Sequence, residues 1–388
     1  MSGQYIAKTI KDMPFSGIRK FFDIASEMED VVSLGVGEPD FITPWNIREE
    51  AIYSLERRRT MYTSNAGMPE LRAEISRYTL EKYELSYEPL SQVLVTVGAS
   101  EGIDVALRAV INPGDEVLVV EPCFVSYKPC VTMAGGIPVP VPTNAENDFR
   151  VSPDDISSRL TSRTKAILIS YPNNPTGAIM ERSNLESIAS VLRDKDIVVI
   201  SDEIYAELTY GEHKHVSIAS LPGFKEKTIV LNSFSKAFAM TGWRLGYACG
   251  PADIITEMTK IHQYIIMCAP TTAQYGGLEA LRNGDESVKA MKDEYDTRRR
   301  FMLSAFSQIG IECFEARGAF YLFPSIKQFG MPSEEFCMTL LHEQKLAVIP
   351  GTAFGDSGEG YVRCSYAYSI DSIKEALSRF DKFIQSTK

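Results

Sequence analysis

The sequence is short of the residues that build metal sites, disulfide frameworks and membrane spans. Its 388 residues include only four histidines. Two of them, in the HKH run His213–His215, fall in a polar stretch that reads as a solvated loop; no third ligand lies nearby, and no metal site is assigned. Seven cysteines, an odd number, are scattered as Cys123, Cys130, Cys249, Cys268, Cys313, Cys337 and Cys364. Without a C-x-x-C pair they fit reduced thiols better than a disulfide framework or a zinc site. No apolar run approaches the ~18 residues of a membrane span, and the N-terminal stretch MSGQYIAKTIKDMPFSGIRK holds no apolar block of signal-peptide length. A soluble, cytoplasmic protein with no membrane partner is expected. Positive charge is in deficit too: 40 Lys and Arg against 51 Asp and Glu give a net charge of −11. Phosphate backbones are held by clustered cations, so nucleic acid is not an expected partner. Internal repeats and low-complexity tracts are absent.

What is present is an ordinary globular composition, 44% hydrophobic, on a chain longer than a single core usually serves. Short β-rich runs alternate with helical patterns: QVLVTV (92–97), DEVLVV (115–120), AILIS (166–170), DIVVIS (196–201), TIVLN (228–232) and LGYAC (245–249). Runs that are apolar on both faces and separated by helix-length segments read as strands of a mostly parallel sheet covered on both sides, an open, doubly wound α/β domain. Ligands of such a sheet bind outside the carboxyl ends of its strands. From Asp285 the spacing of Val288, Met291, Tyr295, Met302 and Phe306 predicts a long connecting helix with those residues in the core. Beyond it, IECFEA, AFYLFP, LAVIP and YVRCSY read as strands of a smaller α+β domain. The expected division is 45–284 for the large domain, with 1–44 and 285–388 forming the small one.

Candidate chemistry follows the strand ends. SFSKAFAMTGWRLGY (233–247) sets Ser233 and Ser235 before a lone Lys236 and Arg244 after it. Hydroxyls and a guanidinium gathered at a strand end suit a phosphate monoester dianion. In VGASEG (97–102) a strand gives way through Gly98, Ala99 and Ser100 to a helix, whose N-terminus favours an anion. SDEIY (201–205) places Asp202 at a strand end with Tyr205 beyond it, and YPNNPTG (171–177) offers the Asn174 amide within a fixed turn. Taken singly, each has a plain structural reading: a solvated lysine, a packed turn, a helix cap. Together they match pyridoxal 5′-phosphate, which has an aldehyde for a lysine, a ring nitrogen to be kept protonated, a phenolic oxygen, a phosphate and an aromatic face. Asp202 would face the ring nitrogen, and Asn174 and Tyr205 the phenolic oxygen. Ser233, Ser235, Arg244 and the Ala99–Ser100 turn would hold the phosphate, while Phe124 of EPCFVSY would stack on the ring.

These motifs, with SLGVGEPDF (33–41), YTSNAGMPELR (62–72) and VRCSY (362–366), resemble the class I aminotransferases of fold-type I, in the aspartate and aromatic branch, along nearly the whole chain. The resemblance implies that Lys236 is the residue joined to the cofactor and the general acid/base of a ping-pong transfer between an amino acid and a 2-oxo acid. It implies that Arg363 clamps the substrate α-carboxylate, with the Gly37 backbone nearby. Tyr62 matches a tyrosine that reaches the phosphate of the neighbouring subunit, so a homodimer with shared sites is expected. Phe124 stands where relatives often have Trp or Tyr, and Cys123 where an aromatic is common. Aspartate, aromatic amino acids and diaminopimelate derivatives are the expected donors, selected by loops that include PFSGIRKFF (14–22). Two other activities compete: a C–S lyase using the same cofactor, and a serine hydrolase reading of SFSK as S-x-x-K.

Overall fold

The computed structural model describes residues 5–15, 17, 18, 24 and 26–387. Twelve strands are assigned among them: β1 (Val32–Ser33), β2 (Val93–Thr96), β3 (Glu116–Glu121), β4 (Ile137–Pro142), β5 (Thr164–Ser170), β6 (Val198–Asp202), β7 (Thr228–Ser233), β8 (Gly246–Cys249), β9 (Tyr321–Leu322), β10 (Leu346–Ala347), β11 (Ile349–Pro350) and β12 (Val362–Ser365). Seven of them form one sheet in the order β2-β8-β7-β6-β5-β3-β4. Its neighbours pair in parallel except where β8 runs antiparallel to both β2 and β7.

The strands are covered on both faces, as their continuous apolar runs require. Along β3, Val117 and Val119 face a core shared with the helices Gly98–Val110 and Ala252–Ile265, whereas Leu118 and Val120 face the opposite core. That alternation is the strand period of two. The second core continues without a break into the C-terminal elements, taking in Met302 and Phe306 of the helix Asp285–Gln308 and Phe383 near the chain end. All five apolar residues picked out on that helix are buried. The C-terminal strands form a three-stranded antiparallel sheet, β11-β12-β9, and β1 pairs in parallel with β10, tying residues 32–33 to this part of the molecule.

Three local expectations change. IECFEA is not a strand: only Cys313 forms a bridge, to Pro324, beside the Ser325 N–H bond to Glu312 O at 2.8 Å. Pro324 has no N–H to extend the ladder. Conversely IPVPVP (137–142) is a strand, at the sheet edge, where prolines cost no ladder bonds. The HKH run is not a solvated loop throughout. The His215 side chain is only 7% exposed, its Nε2 2.8 Å from Glu203 Oε2, and Glu203 also accepts from the Ser201 and Ser217 hydroxyls at 2.8 and 2.6 Å. A carboxylate that is 1% exposed needs such partners.

Candidate active site

The carboxyl ends of β2, β3, β5, β6 and β7 meet the amino end of the antiparallel β8 along one edge of the sheet. There they surround a cavity of about 290 Å³. The β7 end supplies Lys236. Ser233 caps the one-turn helix Phe234–Ala237 by accepting the Ser235 N–H at 3.2 Å, and that turn carries the lysine into the cavity. Its Nζ donates to Gly37 O at 2.7 Å. Burial holds the ammonium down to a pKa of about 8; Glu38 and Asp202 work against that shift, Arg363 and Arg244 with it. At the β6 end, Asp202 is 2% exposed and burial raises its pKa to about 6. Two donors oppose the rise: the Tyr127 hydroxyl to Oδ2 at 2.7 Å and the Ile204 N–H to Oδ1 at 3.2 Å.

Ala99, Ser100, Ser235 and Arg244 line the same cavity. Gly98 begins its helix with φ 70°, and a Cβ there would lie 2.6 Å from Arg244 Nη2, so the bare glycine lets the guanidinium close over the Ala99–Ser100 turn. Arg244 itself holds φ 54°, an uncommon conformation for a side-chain-bearing residue, and its Nη1 donates to Thr241 O at 2.9 Å. Ser235 lines the cavity, while the Ser233 hydroxyl is engaged with Ser235 Oγ at 2.9 Å and Leu245 O at 3.0 Å.

Arg363, on β12, reaches the same space from the C-terminal sheet. It lies between the rings of Tyr321 and Phe354, 4.4 and 4.8 Å from their centroids, donates to Asn174 Oδ1 at 3.0 Å and to Gly35 O, and leaves its buried Nε without a partner among the described residues. An arginine held by two aromatic faces with a donor unspent suits a carboxylate ligand. Phe124 forms part of the wall, edge-on to Tyr127.

Every candidate residue read from the sequence lines this cavity except Tyr62, which is 79% exposed. Among the lining residues that escaped that reading, two bond to candidates through their hydroxyls. Tyr127 supports Asp202, and Tyr321 shares a 2.8 Å hydroxyl contact with Tyr205. Both lay inside quoted runs, EPCFVSY and AFYLFP, where a buried aromatic reads first as core. Of PFSGIRKFF, Ile18 lines the cavity; positions 16 and 19–22 lie outside the described residues.

The model of the family "Aminotransferase class I and II" matches residues 29–380. The chain belongs to that family. The protein YugH of Bacillus subtilis is 52% identical over 383 residues, 99% of each chain. An aspartate aminotransferase of Pyrococcus abyssi is 45% identical over 375 residues, 96% of each. The crystal structure of an aromatic aminotransferase from Pyrococcus horikoshii superimposes with a TM-score of 0.91 at 41% identity, covering 94% of this chain and 99% of that one. The protein is an aminotransferase, and its SFSK motif has a corresponding geometry. Lys236 Nζ engages Gly37 O, and the Ser233 hydroxyl engages Ser235 and Leu245, so the serine–lysine pair that an S-x-x-K hydrolase needs is not formed.

Proposed function

We propose that this aminotransferase works with pyridoxal 5′-phosphate held in the 290 Å³ cavity, moving an amino group from an L-amino acid of the aspartate, aromatic or diaminopimelate type to a 2-oxo acid such as 2-oxoglutarate. The observation that carries the reading is the single cavity lined together by an amine, Lys236, a carboxylate, Asp202, and a guanidinium, Arg363. When bound, the cofactor supplies an aldehyde that joins amines and a protonated ring that takes up the electron pair released at the substrate α-carbon. Asp202 keeps the ring nitrogen protonated by offering a carboxylate that Tyr127 and Ile204 already hold in place. Asn174 and Tyr205, which line the same cavity, would bond the phenolic oxygen. The Ala99–Ser100 turn, Ser233, Ser235 and Arg244 hold the phosphate, and Phe124 covers the ring. Arg363 would fix the α-carboxylate beside Gly37, which would leave Nζ of Lys236, neutral above about pH 8, to take the α-proton as the general base.

The same reading divides the chain into a cofactor-binding domain, 45–284, and a smaller domain, 1–44 with 285–388. It also pairs two chains as a homodimer in which Tyr62 reaches the partner's phosphate. Exposed apolar side chains support the pairing: Trp45, Ile52, Leu55, Met61, Tyr62, Ile265 and Met267 are all exposed. Two hydrogen bonds tie the segments together, Thr271 Oγ1 to Met61 O and Asn65 Nδ2 to Met267 O. Seven free cysteines fit a reducing, cytoplasmic setting.

The test is a panel of amino-acid donors with 2-oxoglutarate, scored for glutamate. Glutamate formed from aspartate, an aromatic amino acid or a diaminopimelate derivative is the expected result. Pyruvate and ammonia released without a 2-oxo acid would assign the C–S lyase activity instead.

A further inference from the structure

We propose that Glu101 and His262 form a positioning pair that sets the phosphate-binding turn, an inference that rests on the cofactor reading above. Glu101 lies in the first turn of the helix Gly98–Val110, immediately after Ser100. A carboxylate there is itself an anion at a helix N-terminus and would compete with a bound phosphate for the unpaired N–H groups of that turn. Its hydrogen bonds turn it elsewhere. Oε2 accepts the Val97 N–H at 2.5 Å, fixing the residue where β2 passes into the helix, and Oε1 lies 2.6 Å from His262 Nδ1. An ionised carboxylate only accepts, so Nδ1 carries the proton.

His262 comes from another element, the helix Ala252–Ile265 packed alongside, and is fully buried at 0% exposure. Its Nε2 has no partner among the described residues, which leaves the bond to Glu101 as the polar contact that orients the ring. A buried imidazole with one polar contact is costly unless that contact matters. The pair commits the carboxylate to Val97 and His262, while the Arg244 guanidinium closes over Gly98 at the start of the same helix. The Ala99 and Ser100 end of the helix is then open to a dianion. Neither residue touches the proposed cofactor; both act through the turn.

A positioning role for the phosphate turn and a merely structural role differ in one measurable way. The first affects pyridoxal 5′-phosphate and spares pyridoxal, which lacks the phosphate. Spectral titration of the cofactor-free protein with each compound, alongside its thermal midpoint, makes the comparison. Glu101→Ala is expected to weaken pyridoxal 5′-phosphate about 10-fold or more, equivalent to one lost charge-assisted hydrogen bond, and to leave pyridoxal within about 2-fold. Glu101→Gln, which can still accept from Val97, is expected to restore most of the affinity. His262→Phe should reproduce the alanine effect and His262→Asn, which keeps a donor, should not, so the comparison survives if Glu101→Ala fails to fold. Equal weakening of both compounds, or no weakening of either, overturns the positioning role while leaving the cofactor reading intact. Wild-type protein that binds pyridoxal 5′-phosphate no better than pyridoxal overturns both.

Discussion

Burial acts in opposite senses on the two charged groups that line the cavity: its effect on Lys236 favours the chemistry, and its effect on Asp202 is one that the Tyr127 and Ile204 hydrogen bonds restrain. It lowers the Lys236 ammonium to about 8 and raises the Asp202 carboxyl to about 6, which leaves a neutral amine accessible near neutrality beside a carboxylate still ionised there. The neutral amine is the form that attacks an aldehyde, so capture of pyridoxal 5′-phosphate by the cofactor-free protein should accelerate as pH rises and level off above about 8. Stopped-flow absorbance measures this, and a rate flat between about pH 7 and 9 would contradict it. The sign for stability is the same. Between about pH 8 and 10.5 the folded chain holds fewer protons on Lys236 than the unfolded chain, so the cofactor-free protein should gain stability across that window. Lys236→Ala should abolish turnover and covalent cofactor retention together, whatever the donor. Tyr127 tests the carboxylate. Its hydroxyl donates to the ionised form, so Tyr127→Phe should raise the Asp202 pKa, move the acid limb of the kcat/KM profile to higher pH and lower kcat/KM about 10-fold or more. An unmoved limb would remove Tyr127 from the mechanism.

At the scale of elements, the parallel strands were legible because each is a short β-branched run bounded by polar turns, and the motifs were legible because they follow those runs. Lys236, Asp202, Asn174 and the Ala99–Ser100 turn stand on strand ends that the alternation of runs already aligned. Direction was not legible: LGYAC reads like its neighbours, yet it runs antiparallel, and that reversal brings Arg244 to the same edge as the other strand ends. The edge strand IPVPVP was hidden by its prolines, and IECFEA looked like a strand because apolar residues alternate there without a partner ladder to pair them. Close backbone approach is equally silent in a single sequence. A Cβ on Gly246 would lie 2.7 Å from Ala99 N and 2.9 Å from Asn232 O, all rigid main chain, where β8 meets the anion turn. Gly246→Ala should therefore cost about 2–3 kcal/mol and weaken cofactor binding, because the strand or the turn must shift. Gly242→Ala, with nothing within 4 Å of the new methyl, should stay within about 0.5 kcal/mol of the parent. Calorimetric melts of the two variants distinguish a crowded turn from a general intolerance of the loop.

At the scale of the whole molecule, the one candidate residue that the single chain does not bring to the cavity is the one assigned to the other subunit. Tyr62 is exposed beside Met61 in the chain, and Trp45, Ile52 and Leu55 are exposed on the preceding helix. No periodicity in the sequence marks that face; a helix that buried one side on its own core and another on a second chain would read as weakly patterned. Sedimentation should give twice the 43.2 kDa chain mass, and Leu55→Asp should reduce the mass to that of one chain while loosening the cofactor. Subunit exchange tests the shared site directly. Let one parent carry Lys236→Ala, which has no reactive amine, and the other Tyr62→Ala, which keeps the amine but lacks the tyrosine. If Tyr62 serves its own chain, every site in the mixed dimer is defective and exchange restores nothing. If it reaches across, the site that retains Lys236 receives an intact tyrosine from its neighbour, and the mixed dimer regains one site of wild-type cofactor affinity. Recovery of tight pyridoxal 5′-phosphate binding in about half of the dimers formed by equal mixing, the statistical share of mixed pairs, is the expected result, and its absence in dimers shown to have exchanged would return Tyr62 to its own subunit.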